Sequence, residues 1–191
     1  MILFINACVR EKSRTERLAR KLLARLCAGE TVEEVRLADL PFPAADAAFL
    51  AKRDRLLEQG AYADPLFDLA RQYAAADTVV IAAPFWDLSF PAALKQYLEQ
   101  VNVTGITFRY TPEGIPQGLC RARKLWYVST AGGPVFTDEY DYGYVCALAK
   151  GYYGIPETAL IRATGLDIEG ADVEAILRGA EQEIDRLTEE N

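Results

Sequence analysis

The sequence contains no histidine. That removes the side chain most used as a general base near neutral pH and the commonest metal ligand. Chemistry must then rest on other side chains, on backbone groups or on a borrowed cofactor. Cysteine is scarce too. Cys8, Cys27, Cys120 and Cys146 lie far apart and form no CxxC pair, which argues against a zinc or iron–sulfur centre and fits the reduced thiols of an intracellular protein. Neither GxGxxG nor GxxxxGK[ST] occurs, so a dinucleotide fingerprint and a P-loop are both missing. No apolar run approaches the roughly 20 residues of a membrane helix. MILFINACVREK is apolar for about nine residues before its first charges. A secretory signal has the reverse order, so a cytoplasmic protein is expected. Basic residues are outnumbered, 21 Lys plus Arg against 28 Asp plus Glu, for a net charge of −7. A surface of that sign repels phosphate backbones and anionic lipid, and neither nucleic acid nor membrane is an expected partner.

What is present is apolar and periodic. The 191 residues are 51% hydrophobic, enough for one domain over 1–191 with a sizeable core. ILFINA (2–7) reads as a strand buried on both faces. Leu18, Leu22, Leu23 and Leu26 follow at helical spacing, stopped by Gly29. TVEEVRLADL (31–40) alternates like a strand and ends at Pro41 and Pro43. Residues 44–76 are helix-like with breaks near Gly60 and Pro65. TVVIAA (78–83), KLWYVSTAGG (124–133) and TALIRATG (158–165) read as strands, and 92–102 and 171–190 as helices. Alternating strands and helices mean βαβ units around a parallel sheet. Five strands in this length suit an α/β, flavodoxin-like three-layer sandwich of order 2-1-3-4-5. In such sheets ligands bind beyond the carboxyl ends of the strands, which selects the loops 8–16, 84–91 and 130–138.

Each loop admits two readings. In CVREKSRTER, Ser13 and Thr15 stand at a helix start whose free amides and dipole suit a phosphate, with Arg10 and Arg14 adding charge. Ser13 with Glu16 three residues on equally fits a capping box. In APFWDLSFP, Pro84 stops the strand and Pro91 opens the next helix, leaving Phe85 and Trp86 at the ligand edge. They suit a flat, partly apolar ring, or they pack beneath a neighbouring loop or a partner subunit. In STAGGPVF, two glycines let backbone amides approach a ligand or simply make a turn. Taken together, a phosphate cradle, an aromatic wall and a glycine edge describe a site for a phosphorylated flat heterocycle such as flavin mononucleotide (FMN), which carries its own redox chemistry.

These residues resemble the FMN-dependent NADH:quinone oxidoreductase and azoreductase family. The similarity runs from residue 1 to about 185 and lies in Ser13-Arg14-Thr15, PFWDLSFPAALKQYLE, TFRYTPEGIPQGL (107–119), TAGG (130–133) and ATGLDIEG (163–170). The resemblance implies phosphate contacts at Cys8 and Ser13, Arg14 and Thr15. It implies ring contacts at Phe85, Trp86, Asp87, Leu88, Thr130, Ala131, Gly132 and Gly133. It implies a homodimer with the flavin near the interface, and ping-pong transfer from NAD(P)H to a quinone or azo acceptor. Two positions depart from the family. Asp87 replaces a usual Asn, and an ionised carboxylate there lowers the flavin potential unless it is protonated or turned away. Cys8 replaces a common hydroxyl, and a thiol is a poor donor.

Phe108, Tyr110 and Phe136 are candidates for an acceptor pocket, and equally for core or dimer contacts. The stripe Leu94, Tyr97, Leu98 and Val101 either covers the sheet or forms the interface. Two other functions fit the pattern: a flavodoxin-type electron carrier with an acidic docking surface, and a scaffold of the same fold that has lost its flavin. The extra segments 41–76 and 103–123 favour the enzyme, because they are suited to covering a pocket.

Overall fold

The computed structural model describes residues 1–189, so the end of the expected 171–190 helix lies outside the described residues. Five parallel strands form the main sheet: β1 (Ile2–Asn6), β2 (Val32–Arg36), β3 (Thr78–Ala82), β6 (Lys124–Thr130) and β7 (Glu157–Ala163). Their order is β2-β1-β3-β6-β7. A separate antiparallel hairpin supplies β4 (Phe108–Tyr110) and β5 (Pro116–Gly118). Counting the parallel strands alone, the order is the expected 2-1-3-4-5. The strands begin in line, with Ile2 opposite both Val32 and Thr78, Thr78 opposite Lys124, and Lys124 opposite Glu157. β6 and β7 run two residues past the end of β3, because Ala82 pairs with Val128. That overhang sets the floor of the site described below.

Alternate residues of each strand point to opposite faces. Leu3, Ile5, Val79, Ile81, Leu125 and Tyr127 join one buried cluster, and Ile2, Phe4, Val80, Ala82, Trp126 and Val128 the other. Burial on both faces is why the strands read as continuous apolar runs. The second cluster is closed by α1 (Arg14–Leu26), through Leu18 and Leu22, and by α6 (Val173–Glu189), through Leu177 and Ile184.

The first cluster receives Tyr73 of α3 (Asp68–Ala75) and the whole Leu94, Tyr97, Leu98, Val101 stripe of α4 (Ala92–Val101). The stripe therefore covers its own sheet and is not an exposed interface. α2 (Ala47–Glu58) lies before α3, and the break between them falls at Gly60 and Pro65 as the sequence predicts. The 31–40 strand is shorter than its pattern, giving way to a 3-10 turn at Leu37–Asp39.

Two elements carry no clear pattern. The strands of the β4–β5 hairpin are three residues each, too short for alternation to register. α5 (Tyr142–Leu148) runs on into a π-helical segment, Ala149–Tyr153. The hairpin and this segment pack backbone to backbone. A Cβ on Gly118 would sit 2.2 Å from the Tyr153 carbonyl carbon, so only glycine fits. Among the described residues no helix is long and apolar enough to cross a membrane.

Candidate functional site

The chain leaves β1 through Asn6, which is fully buried. Its Oδ1 accepts the Cys8 amide at 3.0 Å, and its Nδ2 donates to Glu34 at 2.9 Å. This turns the loop out over the sheet edge. Ser13 caps α1, its Oγ accepting the Glu16 amide at 3.2 Å. The reciprocal half of a capping box is not made. The Glu16 carboxylate instead takes Arg20 and Arg36, each at 2.9 Å. The amides of Arg14 and Thr15, in the first turn, have no helical carbonyl to bond.

Thr15 shares a buried 2.6 Å hydrogen bond with the Thr130 hydroxyl at the end of β6. Arg14 donates to Asp167 at 2.7 Å and to the Leu166 carbonyl at 3.3 Å. Cys8 is buried beneath this loop. Its thiol lies 3.9 Å from the Ala82 carbonyl, with the Ser13 hydroxyl also beside it. Burial pushes that thiol up to about 11, so it is neutral and does not line the cleft.

Beyond β3 the chain makes a tight two-residue turn. The Phe85 amide bonds the overhanging Thr130 carbonyl at 3.0 Å, and Trp86 and Ser89 exchange two backbone bonds of 2.8 Å. The central residues, Asp87 and Leu88, have φ of +50° and +67°. Aspartate tolerates the left-handed region, but leucine pays about 1–2 kcal/mol in Cβ crowding. Trp86 and Leu88 stay 38% and 46% exposed at the rim.

The glycine edge is shaped by a fourth loop, the one after β7. Leu166 and Asp167 donate their amides to the carbonyls of Ala131 and Gly132 at 3.3 and 2.9 Å. A Cβ on Gly132 would meet an Asp167 carboxylate oxygen at 2.4 Å, so a larger residue there would make that exposed side chain shift. Gly133 has nothing within 4 Å of such a Cβ.

These four loops enclose a cleft of about 320 Å³. Of the residues the sequence singled out, it is lined by Ser13, Arg14, Thr15, Phe85, Trp86, Thr130, Ala131 and Gly132, with Arg10 beside them. Asp87, Leu88 and Gly133 adjoin the lining residues but are not among them. Phe108, Tyr110 and Phe136 do not line it either. Phe108 is buried edge-on to Tyr110 and Tyr152, with centroids 5.4 and 5.0 Å away, whereas Phe136 is 82% exposed. Val9, Lys12, Pro84, Leu166 and Asp167 also line the cleft and had no site role in the sequence reading. Leu166 and Asp167 lie within ATGLDIEG, where only a fourth strand-end loop at the same rim could have marked them.

The cleft joins hydrogen-bond donors and cations at one end to aromatic rings at the other. A family model described as flavodoxin-like fold matches residues 1–187. A Clostridium acetobutylicum protein named FMN-dependent NADH:quinone oxidoreductase 2 is 46% identical over 114 residues, which are 57% of this chain and 56% of that protein. The match thus spans just over half of that relative. Among solved structures, an azoreductase from Bacillus anthracis strain Sterne aligns with a TM-score of 0.85 at 24% identity, covering 100% of this chain and 99% of the other. An FMN-dependent NADH-azoreductase from B. anthracis strain Ames Ancestor, solved in complex with FMN, gives 0.83 at 23% identity, covering 99% and 97%. At these identities the structural likeness is one of fold. With a model match that runs through every strand and all four cleft loops, the chain belongs to the flavodoxin-like fold family.

Proposed function

We propose that this chain is an FMN-dependent NAD(P)H oxidoreductase that reduces a quinone or azo acceptor. The observation that carries the reading is that the mouth of α1 and the Phe85–Trp86 pair, 70 residues apart in sequence, line one cleft. The residues there suit the cofactor. The first-turn amides of Arg14 and Thr15, the Ser13 hydroxyl and the Arg10, Lys12 and Arg14 cations suit the phosphate. Phe85 and Trp86 suit the ring, and the Thr130 to Gly133 backbone suits its polar edge. When bound, FMN supplies the hydride chemistry between NAD(P)H and the acceptor, in two alternating half-reactions.

The protein's own part is to bind and to orient. Trp86 lines one wall, and the Thr15–Thr130 bond holds the phosphate end and the ring end at fixed separation. No side chain of this histidine-free cleft needs to act as general base. The same proposal includes a single three-layer domain, a cytoplasmic setting and a homodimer. For the dimer, the exposed Trp86, Leu88, Phe136 and Tyr140 support a contact at this rim.

Titration with FMN, followed by anaerobic addition of NAD(P)H, tests the reading. FMN binding with rapid bleaching supports the enzyme, binding without bleaching supports an electron carrier, and no binding defeats both. Trp86→Ala is expected to weaken FMN binding by about 1–3 kcal/mol. Unchanged affinity removes Trp86 from the site.

A further inference from the structure

The loop that carries Phe85 and Trp86 is fastened from behind by a buried charge pair. Arg162 stands near the end of β7, opposite Ser129. Its Nη2 donates to Asp141 at 2.8 and 3.1 Å, and its Nη1 donates to Asp138. Asp141 is fully buried and its carboxylate also accepts the Tyr142 amide where α5 begins. The Arg162 side chain is only 11% exposed.

A pair so placed is a weak source of stability, since apolar replacements of buried ion pairs are often neutral or stabilising. This pair is also incompletely satisfied: the Arg162 Nε and the adjacent Ser129 Oγ are buried without a protein partner. Its remaining contacts lead to the cleft. The guanidinium carbon lies 5.9 Å from the Phe85 ring centroid, within cation–π reach. On the other side, Asp141 fixes the chain at Tyr140, whose carbonyl accepts the Ser89 hydroxyl at 2.5 Å. Phe85 and Ser89 bracket the turn whose centre, at Asp87 and Leu88, is held at positive φ. A turn of that kind persists only where its surroundings over-determine it.

We propose that the Arg162–Asp141 pair is a positioning device for the 85–89 loop, holding Phe85 and Trp86 at the cleft wall by a tie at each end of the loop. Arg162 and Asp141 are positioning residues, acting through Phe85 and Ser89. For the loop alone the proposal needs no cofactor; its extension to ring binding rests on the flavin reading above.

Amide hydrogen exchange on the full chain, without FMN, is the direct test. Arg162→Met keeps much of the side chain and removes its charge. It is expected to speed exchange at Trp86 and Ser89 about tenfold while the α4 amides stay protected. Asp141→Asn and Ser89→Ala loosen the same tie from its other end and serve if Arg162→Met does not fold. Arg162→Met combined with Asp141→Leu is expected to regain thermal stability without regaining loop protection. Unchanged exchange at 85–89 in the folded variants overturns the proposal. So does a loss of protection spread evenly over the sheet, which marks general destabilisation. With FMN added, Arg162→Met is expected to bind about tenfold more weakly and with a displaced visible flavin band. Equal affinity and an unmoved band overturn the extension to the ring. A wild type that binds no FMN defeats the flavin reading, and the exchange data still decide the tie.

Discussion

Leu88 is the residue whose backbone least suits its side chain. At φ +67° its Cβ crowds the chain, and the side chain is half out in water. Neither local propensity nor core packing explains a leucine there. Strained residues gather where a surface is put to use, and a rim position beside the proposed flavin site fits that pattern. Leu88→Gly is therefore expected to stabilise the protein by about 0.5–1 kcal/mol, the relieved crowding being partly offset by the greater freedom of glycine in the unfolded chain. Urea denaturation checks this. A loss of stability shows that the exposed side chain makes contacts that outweigh the strain. The sequence marks this segment as unusual through Pro84, Phe85 and Trp86, but not as strained, because φ at 87 and 88 depends on the turn that the Trp86–Ser89 bonds close and on the distant residues that tie it down.

Between elements, the site depends on how α1 meets the end of β6. The Thr15–Thr130 hydroxyl bond is buried and spans 115 positions of sequence. Thr15→Val leaves the Thr130 hydroxyl without this partner, at a cost of about 1–3 kcal/mol, whereas Thr15→Val with Thr130→Val removes both groups and is expected to be nearer neutral. A double-mutant cycle in urea measures the difference. Additive losses would mean that the two hydroxyls do not depend on each other. The sequence places both threonines at strand and helix ends, yet it offers Thr15 as a free phosphate donor. The bond to Thr130 follows only from the overhang of β6 past β3.

At the scale of the molecule, an alternating-charge network ties the first loop to the edge strand. Arg36 reaches Glu16, and Arg20 bridges Glu16 and Glu34. For Glu34, burial raises the carboxyl, but the bonds from Asn6 and Arg20 overcome it and the net shift is downward. A lowered folded-state value stabilises the protein above the ordinary carboxylate value of 4.5 and ceases to do so as pH falls through the lowered one. Glu34→Gln is accordingly expected to flatten the acid limb of the stability profile below about pH 4.5 while changing its shape little near neutrality. Chemical denaturation across that range reads it out. An unaltered acid limb would assign the slope to other carboxylates.

The sequence by itself determined the parallel sheet, its order, the helices on either side and the rim where the loops gather. Those follow from short-range apolar periodicity and from the handedness of βαβ crossovers, which a linear chain carries in its pattern. It also singled out most of the cleft lining, because loops at the ends of neighbouring strands are adjacent whatever their details. The tertiary structure alone decided that Cys8 is buried, that the Asp167 side chain packs over Gly132, that the α4 stripe is core, and that Arg162 and Asp141 stand behind Phe85. Each of those depends on which side chain meets which across tens of residues, a matter of register and loop length that no local pattern records.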